Sequence, residues 1–483
     1  MTSIFFTHKK KNWAIISVLL FFCAKGFTQE TWSLERCVQQ AQQNSLSLRQ
    51  AKNRVRETKL IERQNTLSRY PNLNAGGSVG LNVGRAINPA TNTFETNTSG
   101  FNSLSLNSGV LLYNGNRINH LIEQSKLNVA ASESDAAQAS NNLALNVAAT
   151  YLQVLLSEEQ LENTKKRNLQ ASNQLVLTEK LIAAGSRPQG DRLDLQAQIA
   201  RGEQTLVSAQ NLVDISYLNL KQLMILDPSQ VMKVSKVDVT IPADAMPEKY
   251  QLDKIYIQAL NNQPNIKAGE LREKSAEIDV LLAKATGLPT VSMGANVSSF
   301  YSTRGLKYST EVVGTKNIDQ NVIFNGTPSV VTFVQPDVRV KTAKDPYINQ
   351  LSENLGAGVN VSINVPLYNN GQTSIGKERA QLNILNTQIA NEQSKQLLKS
   401  DIQKAIADAR AAKKTLDAAE KTFKASQNAY ENAEKRFKVG AINTFELTNS
   451  KNNLDTSETD LTVAKYDYLF KLKILDFYQG KKM

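Results

Sequence analysis

Few residues in this chain have side chains suited to catalysis or metal binding. It contains two histidines, His8 and His120, and two cysteines, Cys23 and Cys37. His8 and Cys23 fall within the first thirty residues, which have the pattern of a removable leader. A zinc-type site or a histidine-based triad needs several such side chains together. No acid or nucleophile pattern converges elsewhere, so the sequence predicts no catalytic residue, no cofactor, no metal site and no enzyme activity.

The leader is predicted to be a signal peptide covering residues 1–28. Three lysines at 9–11 precede an apolar run at 13–24, and small residues suited to cleavage follow. The run is too short to cross a membrane as a helix, and Phe22 before Cys23 does not fit a lipoprotein cleavage site. The formal net charge is +12, and about +8 remains without the leader. That remaining charge is spread along helices without a long basic block, which favours solvated helix faces over nucleic-acid binding.

Residues 377–439 contain no glycine or proline and are dense in good helix formers. A seven-residue repeat runs through this segment, with a small residue three positions after each large one. The first position of the repeat is occupied by Ile402, Ala409, Leu416, Phe423, Tyr430 and Phe437, of which all but Ala409 are large. This period predicts a left-handed coiled coil in which neighbouring helices approach closely. At about 1.5 Å per residue the segment would span roughly 95 Å.

The chain is predicted to be an internal duplication. Leu34 and Pro71 recur 218 residues later, whereas Tyr113 and Gly185 recur 255 residues later, so the second copy carries an insertion of 37 residues. The coiled-coil register recurs at 116–184, with Asn168 as its one poor fit. The predicted boundaries are 29–227 for repeat 1, 228–250 for a joining tract that could add a strand, and 251–483 for repeat 2.

Each repeat is predicted to contain a helix, a strand pair and a long helical hairpin. The helices are placed at 33–69 and 252–286, and the hairpins turn at Gly185 and Gly440, where glycine can end a helix. Gly202, in the returning arm of repeat 1, is interpreted as the small half of a close helix contact. The loops within the strand pairs, at 85–100 and 302–350, are rich in Asn, Thr, Ser and Gly.

The strand-like runs alternate between apolar residues and uncharged Ser, Asn or Gly, most clearly at 351–367 and more weakly at 104–113. They lie at 72–83, 104–113, 291–297 and 351–367. A half-buried strand of a soluble sandwich would alternate too. The uncharged polar face, the length of the runs and the tyrosines near their ends favour strands of an outer-membrane barrel. Because four strands cannot close a barrel and an open edge cannot lie in lipid, we expect the chain to oligomerise.

This arrangement resembles the TolC-type outer-membrane efflux protein family. The resemblance covers about residues 34–478; its local marks lie at 70–73, 112–115 and 365–371 and at the two hairpin turns. It implies an α+β membrane protein, mainly α, that forms a homotrimer. Three chains would form a β-barrel in outer-membrane lipid, four strands from each, continued by a helical barrel across the periplasm. The implied partners are a periplasmic adaptor (a membrane fusion protein) and an inner-membrane transporter.

The resemblance also assigns roles to the hairpin turns. It implies that the docking end for the adaptor contains Gly185, Ser186, Arg187, Gly440, Ala441 and Ile442. Family members often carry an acidic pair after the second turn, which forms rings that constrict the pore. Glu446 and Asn449 stand at the matching positions, and Asp191 is the counterpart of Glu446 in repeat 1. Asn449 departs from the second acid, and Ile442 stands where a basic residue that locks the gate is expected.

The favoured function is a passive, gated conduit of a tripartite efflux or type I secretion system. An alternative is a secreted structural or adhesive coiled-coil protein without channel activity. That alternative explains the heptads and the leader, but it does not explain the alternating strand pairs or the duplication. The transported substrate is not encoded in any pattern of this chain.

Overall fold

The computed structural model describes residues 31–88, 93–236 and 250–481. The predicted signal peptide and residues 237–249 of the joining tract lie outside these ranges. The chain divides into two compact units. The one that we call the helical unit holds the described residues of 1–59, 127–275 and 384–483. The one that we call the sheet unit holds the described residues of 60–126 and 276–383.

The main elements follow the same order twice along the chain, and the second half has an additional hairpin and short helix between its two sheet strands. Repeat 1 contains β1 (Thr31–Trp32), α1 (Leu34–Asn44), α2 (Leu46–Leu67), β2 (Asn72–Asn88), β3 (Thr93–Asn114), α3 (Arg117–Ala183) and α4 (Gly190–Met224). The remainder contains β4 (Lys233–Val234), α5 (Leu252–Asn262), α6 (Pro264–Ala285), β5 (Thr290–Ser302), β6 (Leu306–Phe324), β7 (Thr327–Lys344), α7 (Tyr347–Glu353), β8 (Gly356–Asn364), α8 (Gln372–Lys438) and α9 (Thr444–Tyr478). The outgoing arms α3 and α8 have 67 residues each, and the returning arms α4 and α9 have 35 each.

The heptad positions form the core of the helical unit. Val147, Val154 and Leu161 of α3 are buried, as are Ile402 and Leu416 of α8, which agrees with the predicted register. The poor fit at Asn168 is resolved by Gly202 on α4, because a Cβ on residue 202 would lie only 2.8 Å from Asn168 Oδ1. The interpretation of Gly202 as the small half of a close contact is therefore correct.

The two shorter predicted helices are each broken once. The segment 33–69 splits at Ser45, whose hydroxyl accepts a hydrogen bond from the Leu48 backbone N–H and so begins a new helix. The segment 252–286 splits at Gln263, which has extended backbone angles because Pro264 disfavours a helical residue before it. Both breaks fall at equivalent places in the repeats, and the prediction of single helices was wrong there.

The region predicted as one long loop, 302–350, instead contains the antiparallel hairpin of β6 and β7 and the short helix α7. The hairpin turns at Asn325 and Gly326, both with positive φ, which is the turn that an Asn-Gly pair favours between β-branched runs. The loop predicted at 85–100 is also largely strand, since β2 and β3 continue as far as Asn88 and Thr93. Residues 351–353, predicted as strand, belong to α7.

The start of the joining tract adds a strand as predicted, although a short one. Lys233 and Val234 of β4 pair in parallel with Thr31 and Trp32 of β1. Tyr151 of α3 lies beneath this pair, and its hydroxyl is 3.0 Å from the Trp32 carbonyl oxygen and 2.7 Å from the Ser235 carbonyl oxygen. These contacts hold the joining tract against α3, the long helix of repeat 1.

Candidate functional site

The two hairpin turns of the helical unit have the same backbone construction. Gly185 and Gly440 have φ angles of +71° and +75°, the left-handed conformation that ends a helix. In the first turn, the Gly185 and Ser186 N–H groups donate to the carbonyls of Ile182 and Leu181. The N–H groups of Gly440 and Ala441 repeat these bonds in the second turn. The glycines are therefore required by turn geometry, whatever further role the turns have.

Arg187, just after the first turn, reaches across to the second hairpin. Its guanidinium lies 3.9 Å from the centre of the Phe437 ring, which is a cation–π contact. One nitrogen donates to the Phe437 carbonyl at 2.9 Å, and the other lies 3.5 Å from the Ile442 carbonyl oxygen. We call these contacts the Arg187 clamp, because they hold the C-terminus of α8 to the turn of repeat 1.

Asp191 completes the clamp from the first turn of α4. Its carboxylate lies 3.6 Å from the Arg187 guanidinium, and the two side chains are only 11% and 12% exposed. The guanidinium is thus enclosed by an aromatic ring, backbone carbonyls and one carboxylate. Such a set of contacts compensates for removing a charge from water.

The second tip places different groups at the equivalent positions. Ile442 stands where repeat 1 has Arg187, and it is buried against Phe437 and Leu447. Asn443 caps α9 by accepting a hydrogen bond from the Glu446 backbone N–H at 2.9 Å. The side chains of Glu446 and Asn449 are exposed. Because they are three residues apart on one helix, they share a face.

The residues singled out at the tips therefore fall into two groups. Gly185, Ser186, Gly440 and Ala441 are exposed, together with Glu446 and Asn449. Arg187, Asp191 and Ile442 are enclosed in contacts within the chain. Sequence reasoning did not identify Phe437 as a clamp partner, since its only signal there was a heptad position. It also missed two exposed apolar residues beside the second turn, Val439 and Phe445.

A second charged group lies further along the same helices. Asp455 of α9 is 2.6 Å from the Lys451 ammonium and 3.6 Å from the Arg167 guanidinium of α3. Arg167 also donates to the Thr459 hydroxyl at 2.6 Å. Burial raises the pKa of the neighbouring Tyr430 phenol, and nearby carboxylates including Asp455 raise it further. This charged layer ties the outgoing arm of repeat 1 to the returning arm of repeat 2.

The sheet unit contains a four-stranded antiparallel sheet in the order β2-β3-β5-β8. The register places Leu73, Val79 and Leu81 of β2 on one face with Val359 and Val361 of β8. These five side chains are all more than half exposed. We call this surface the apolar face.

The opposite surface, which we call the polar face, is built from rows of cross-strand neighbours. Three of its rows are Asn72–Gly109–Gly294–Asn360, Asn74–Asn107–Asn296–Gly358 and Gly76–Ser105–Ser298–Gly356. These rows contain only Asn, Ser and Gly, and they have no charged side chain. The predicted alternation between an apolar and an uncharged polar face is confirmed at 72–83, 291–297 and 356–364. In β3 it is broken, because Ser108 lies on the apolar face and Leu111 on the polar face.

Among the residues that the structure describes, no helix combines the length and the apolar character needed to cross a bilayer. The described part of the chain also contains no group of three or more His, Cys, Asp or Glu side chains placed to hold a metal ion.

Comparison with known proteins places this architecture in a family. The model of the outer membrane efflux protein family matches residues 37–224 and 337–480. The cation efflux system protein CusC of Escherichia coli O157:H7 is 20% identical over 451 residues, which cover 91% of this chain and 84% of the relative. The outer membrane efflux protein BepC of Brucella suis biovar 1 is 23% identical over 394 residues, covering 80% of this chain and 72% of BepC.

The fold agrees with these matches. A crystal structure of CusC superposes with a TM-score of 0.71 at 18% identity, covering 93% of this chain and 92% of CusC. The mainly helical α+β fold expected from the sequence is thus confirmed. The chain belongs to the outer membrane efflux protein family. It is a channel subunit of an efflux system, and it lies in the outer membrane and extends into the periplasm.

Proposed function

We propose that three copies of this chain close a single passive channel whose inner end is gated at the two hairpin tips. The four-stranded sheet is the observation that supports a trimer. Its outer strands, β2 and β8, have no partner strand beyond them among the described residues, while one face is apolar and exposed. Unpaired backbone groups cannot be left in hydrocarbon, so copies of the chain must pair edge to edge. Three copies of this four-stranded sheet supply twelve strands.

The channel wall follows from the two faces of the sheet. The apolar face contacts lipid and the polar face lines water, as in other transmembrane barrels. The rows of Asn, Ser and Gly bind no cargo by charge. Solute therefore moves passively, and energy comes from an inner-membrane transporter reached through a periplasmic adaptor.

The gate is formed by the Arg187 clamp and by Glu446. The clamp holds the tip of one hairpin against the other inside each subunit, and its release lets the tips separate. Glu446 is free to face the pore, where three carboxylates, one from each copy, would form a ring that favours cations. Asn449 stands beside it as a neutral neighbour. Asp191 acts as the charge partner of Arg187 in this proposal and not as a second ring.

The exposed turn residues form the docking end for the adaptor. Gly185, Ser186, Gly440 and Ala441 expose backbone at the turns, and Phe445 is 74% exposed beside them. An exposed aromatic side chain on a turn surface is a common anchor of a protein interface. Arg187 and Ile442 support this surface from within, through the clamp and the buried cluster.

Purified protein in planar bilayers tests the channel. The expected result is a stable open-channel current from a species whose mass in detergent corresponds to three chains. A pure, folded protein that gives no current would contradict the channel and would favour the adhesive coiled-coil alternative.

Photocrosslinking tests the docking end. A benzophenone amino acid at Phe445 should crosslink to a periplasmic adaptor in cells, whereas the same probe at Val207, exposed on α4, should not. Equal crosslinking at both positions would contradict docking at the tips.

A further inference from the structure

Two phenylalanines interrupt the polar face of the sheet. The next two rows of that face are Ser78–Ser103–Phe300 and Gly80–Phe101–Ser302. Phe300 and Phe101 therefore point to the same side as the Asn, Ser and Gly rows described above. Beyond them the face returns to small polar residues, Asn82 and Ser99. Between the row of Asn72 and the row of Asn82, this aromatic pair is the one exception to small, uncharged residues on the polar face.

The two rings are close neighbours on this face. Phe101 pairs with Ser302 across the strands, and Phe300 lies two residues before Ser302. This diagonal relation places two aromatic side chains within reach of each other. Phe101 extends over Gly80, since a Cβ on residue 80 would lie 2.6 Å from its ring. Glycine at position 80 thus leaves room for the ring to lie against the strand.

The contact between β5 and α7 does not account for Phe300. The short helix α7 contacts the other side of β5, where Tyr301 and Tyr347 have ring centres 4.8 Å apart and Ser299 donates to the Leu351 carbonyl. Phe300 faces away from this contact and is 54% exposed. With the adjacent Phe101 ring it forms a contiguous apolar patch rimmed by polar residues, which is a feature of ligand-binding surfaces.

We propose that Phe101 and Phe300 form an aromatic stacking subsite inside the channel, and that it binds the planar aromatic part of a solute in transit. This inference rests on the proposed function, because it places the polar face in the water-filled lumen. In a trimer, each of the three copies contributes both rings. Their faces attract aromatic rings and organic cations, while the neighbouring amides and hydroxyls carry no charge to compete.

Block of the channel current by two matched organic cations tests the subsite. Tetraphenylphosphonium carries four aromatic rings, and tetrabutylphosphonium carries the same charge without rings. Wild-type protein should be blocked more strongly by the aromatic cation. Phe300→Ser and Phe101→Ser should each reduce this preference by roughly two- to tenfold, the range expected for losing one aromatic contact. Phe324→Ser, at the exposed tip of the β6–β7 hairpin, should leave the preference unchanged.

The outcomes separate the subsite from the channel itself. If Phe300→Ser conducts normally and keeps the wild-type preference, the subsite is wrong although the channel stands. If the wild-type protein does not conduct, the proposed function fails first. Should the serine variants not assemble, Phe300→Leu keeps apolar bulk without a ring, and it should still lose preference for the aromatic cation. In addition, the fluorescence of a Phe300→Trp variant should be quenched by tetraphenylphosphonium, and no quenching would contradict the subsite.

Discussion

The tips of the two repeats are equivalent by position, yet they hold their charged groups in opposite ways. In repeat 1, Asp191 is buried beside Arg187. In repeat 2, the equivalent residues are Glu446, which is exposed, and Ile442, which is buried against Phe437. The duplicated backbone is thus used once to close a contact and once to display a carboxylate. An acidic residue at the same position of the two repeats can therefore be buried in an ion pair in one repeat and exposed to solvent in the other.

A second pair of positions shows the opposite relation. Cys37 of α1 is equivalent to Ile255 of α5, and both are almost fully buried at 0% and 3% exposure. Here two different side chains do the same work of filling a helix contact. The two repeats therefore have the same degree of burial at this packing position. At the tips, by contrast, they differ in whether the acidic residue is buried or exposed.

The largest expected effect comes from removing the clamp. Arg187→Met leaves Asp191 enclosed without its cationic partner and removes the donors to two carbonyls. Breaking a nearly buried pair in this way should cost about 2–4 kcal/mol of tip stability. We expect a lower thermal unfolding midpoint by circular dichroism and a larger open-channel conductance in bilayers.

Arg192→Met is the matched control for the clamp, because Arg192 is exposed one residue beyond Asp191. It should change neither measurement. Adding Asp191→Asn to Arg187→Met should restore part of the lost stability, since no unpaired charge then remains enclosed. Equal behaviour of Arg187→Met and Arg192→Met would show that the clamp does not hold the tips.

The second effect concerns the pair Cys37 and Ile255. Burial raises the pKa of the Cys37 thiol from 9.0 to about 12. Because the folded state favours the neutral thiol, its contribution is complete below pH 9 and is lost as the pH rises toward 12. Over that window the free energy of unfolding should fall by about 1.4 kcal/mol per pH unit through this group.

In Cys37→Ala, the free energy of unfolding should fall less steeply between pH 9 and pH 12 than in the wild-type protein. The other titrating groups are the same in both proteins, so the difference reports on Cys37. Iodoacetamide at pH 8.5 should modify Cys37 only after denaturation. A native thiol that reacts as fast as free cysteine would contradict the burial of this contact.

The third effect applies the same chemical change to both tips. Asp191→Asn removes the carboxylate that faces Arg187 and should lower stability by about 1–2 kcal/mol. Glu446→Gln should change stability by less than about 0.5 kcal/mol, as expected for an exposed side chain. It should instead weaken the preference for cations, read from the reversal potential in a salt gradient. If the two variants behave alike, the division of roles between the tips is wrong.

Much of this fold could be predicted because the signals repeat. Each of the main signals occurs many times in the sequence. They are the heptad that includes Ile402 and Leu416, the alternation of β2 and β8, and the duplication. The β6–β7 hairpin was missed because its Asn-Gly turn was read as loop composition, although Val, Ile and Thr runs flank it. The helix breaks at Ser45 and Gln263 each depend on one residue, the capping hydroxyl of Ser45 and the proline that follows Gln263. The apolar periodicity continues across both breaks and therefore predicts single helices.

The candidate site was less accessible from the sequence. The turns at Gly185 and Gly440 follow from local glycine chemistry and were placed correctly. The Arg187 clamp joins residues 250 positions apart in sequence order, through carbonyls and a ring face that leave no mark on composition. Its partner Phe437 belongs to the heptad, so the pattern gave it only a packing role.

The smallest expected effect comes from giving the second tip the residue that the first tip has. Asn449 is equivalent to Asp194, which is exposed on α4. Asn449→Asp would place a second carboxylate on the face of Glu446, one turn further along α9. The added charge is exposed and screened, so it should strengthen the cation preference by only about twofold. Because the residue lies near a helix N-terminus, the new charge should not lower stability.

The control for this variant is Asn219→Asp, the same change at an exposed position near the C-terminal end of α4. It adds an equal charge to the trimer away from the turns. Reversal potentials should move for Asn449→Asp and stay unchanged for Asn219→Asp. If both variants shift the potential equally, the selectivity reflects overall charge, and neither Glu446 nor its neighbour lines a constriction.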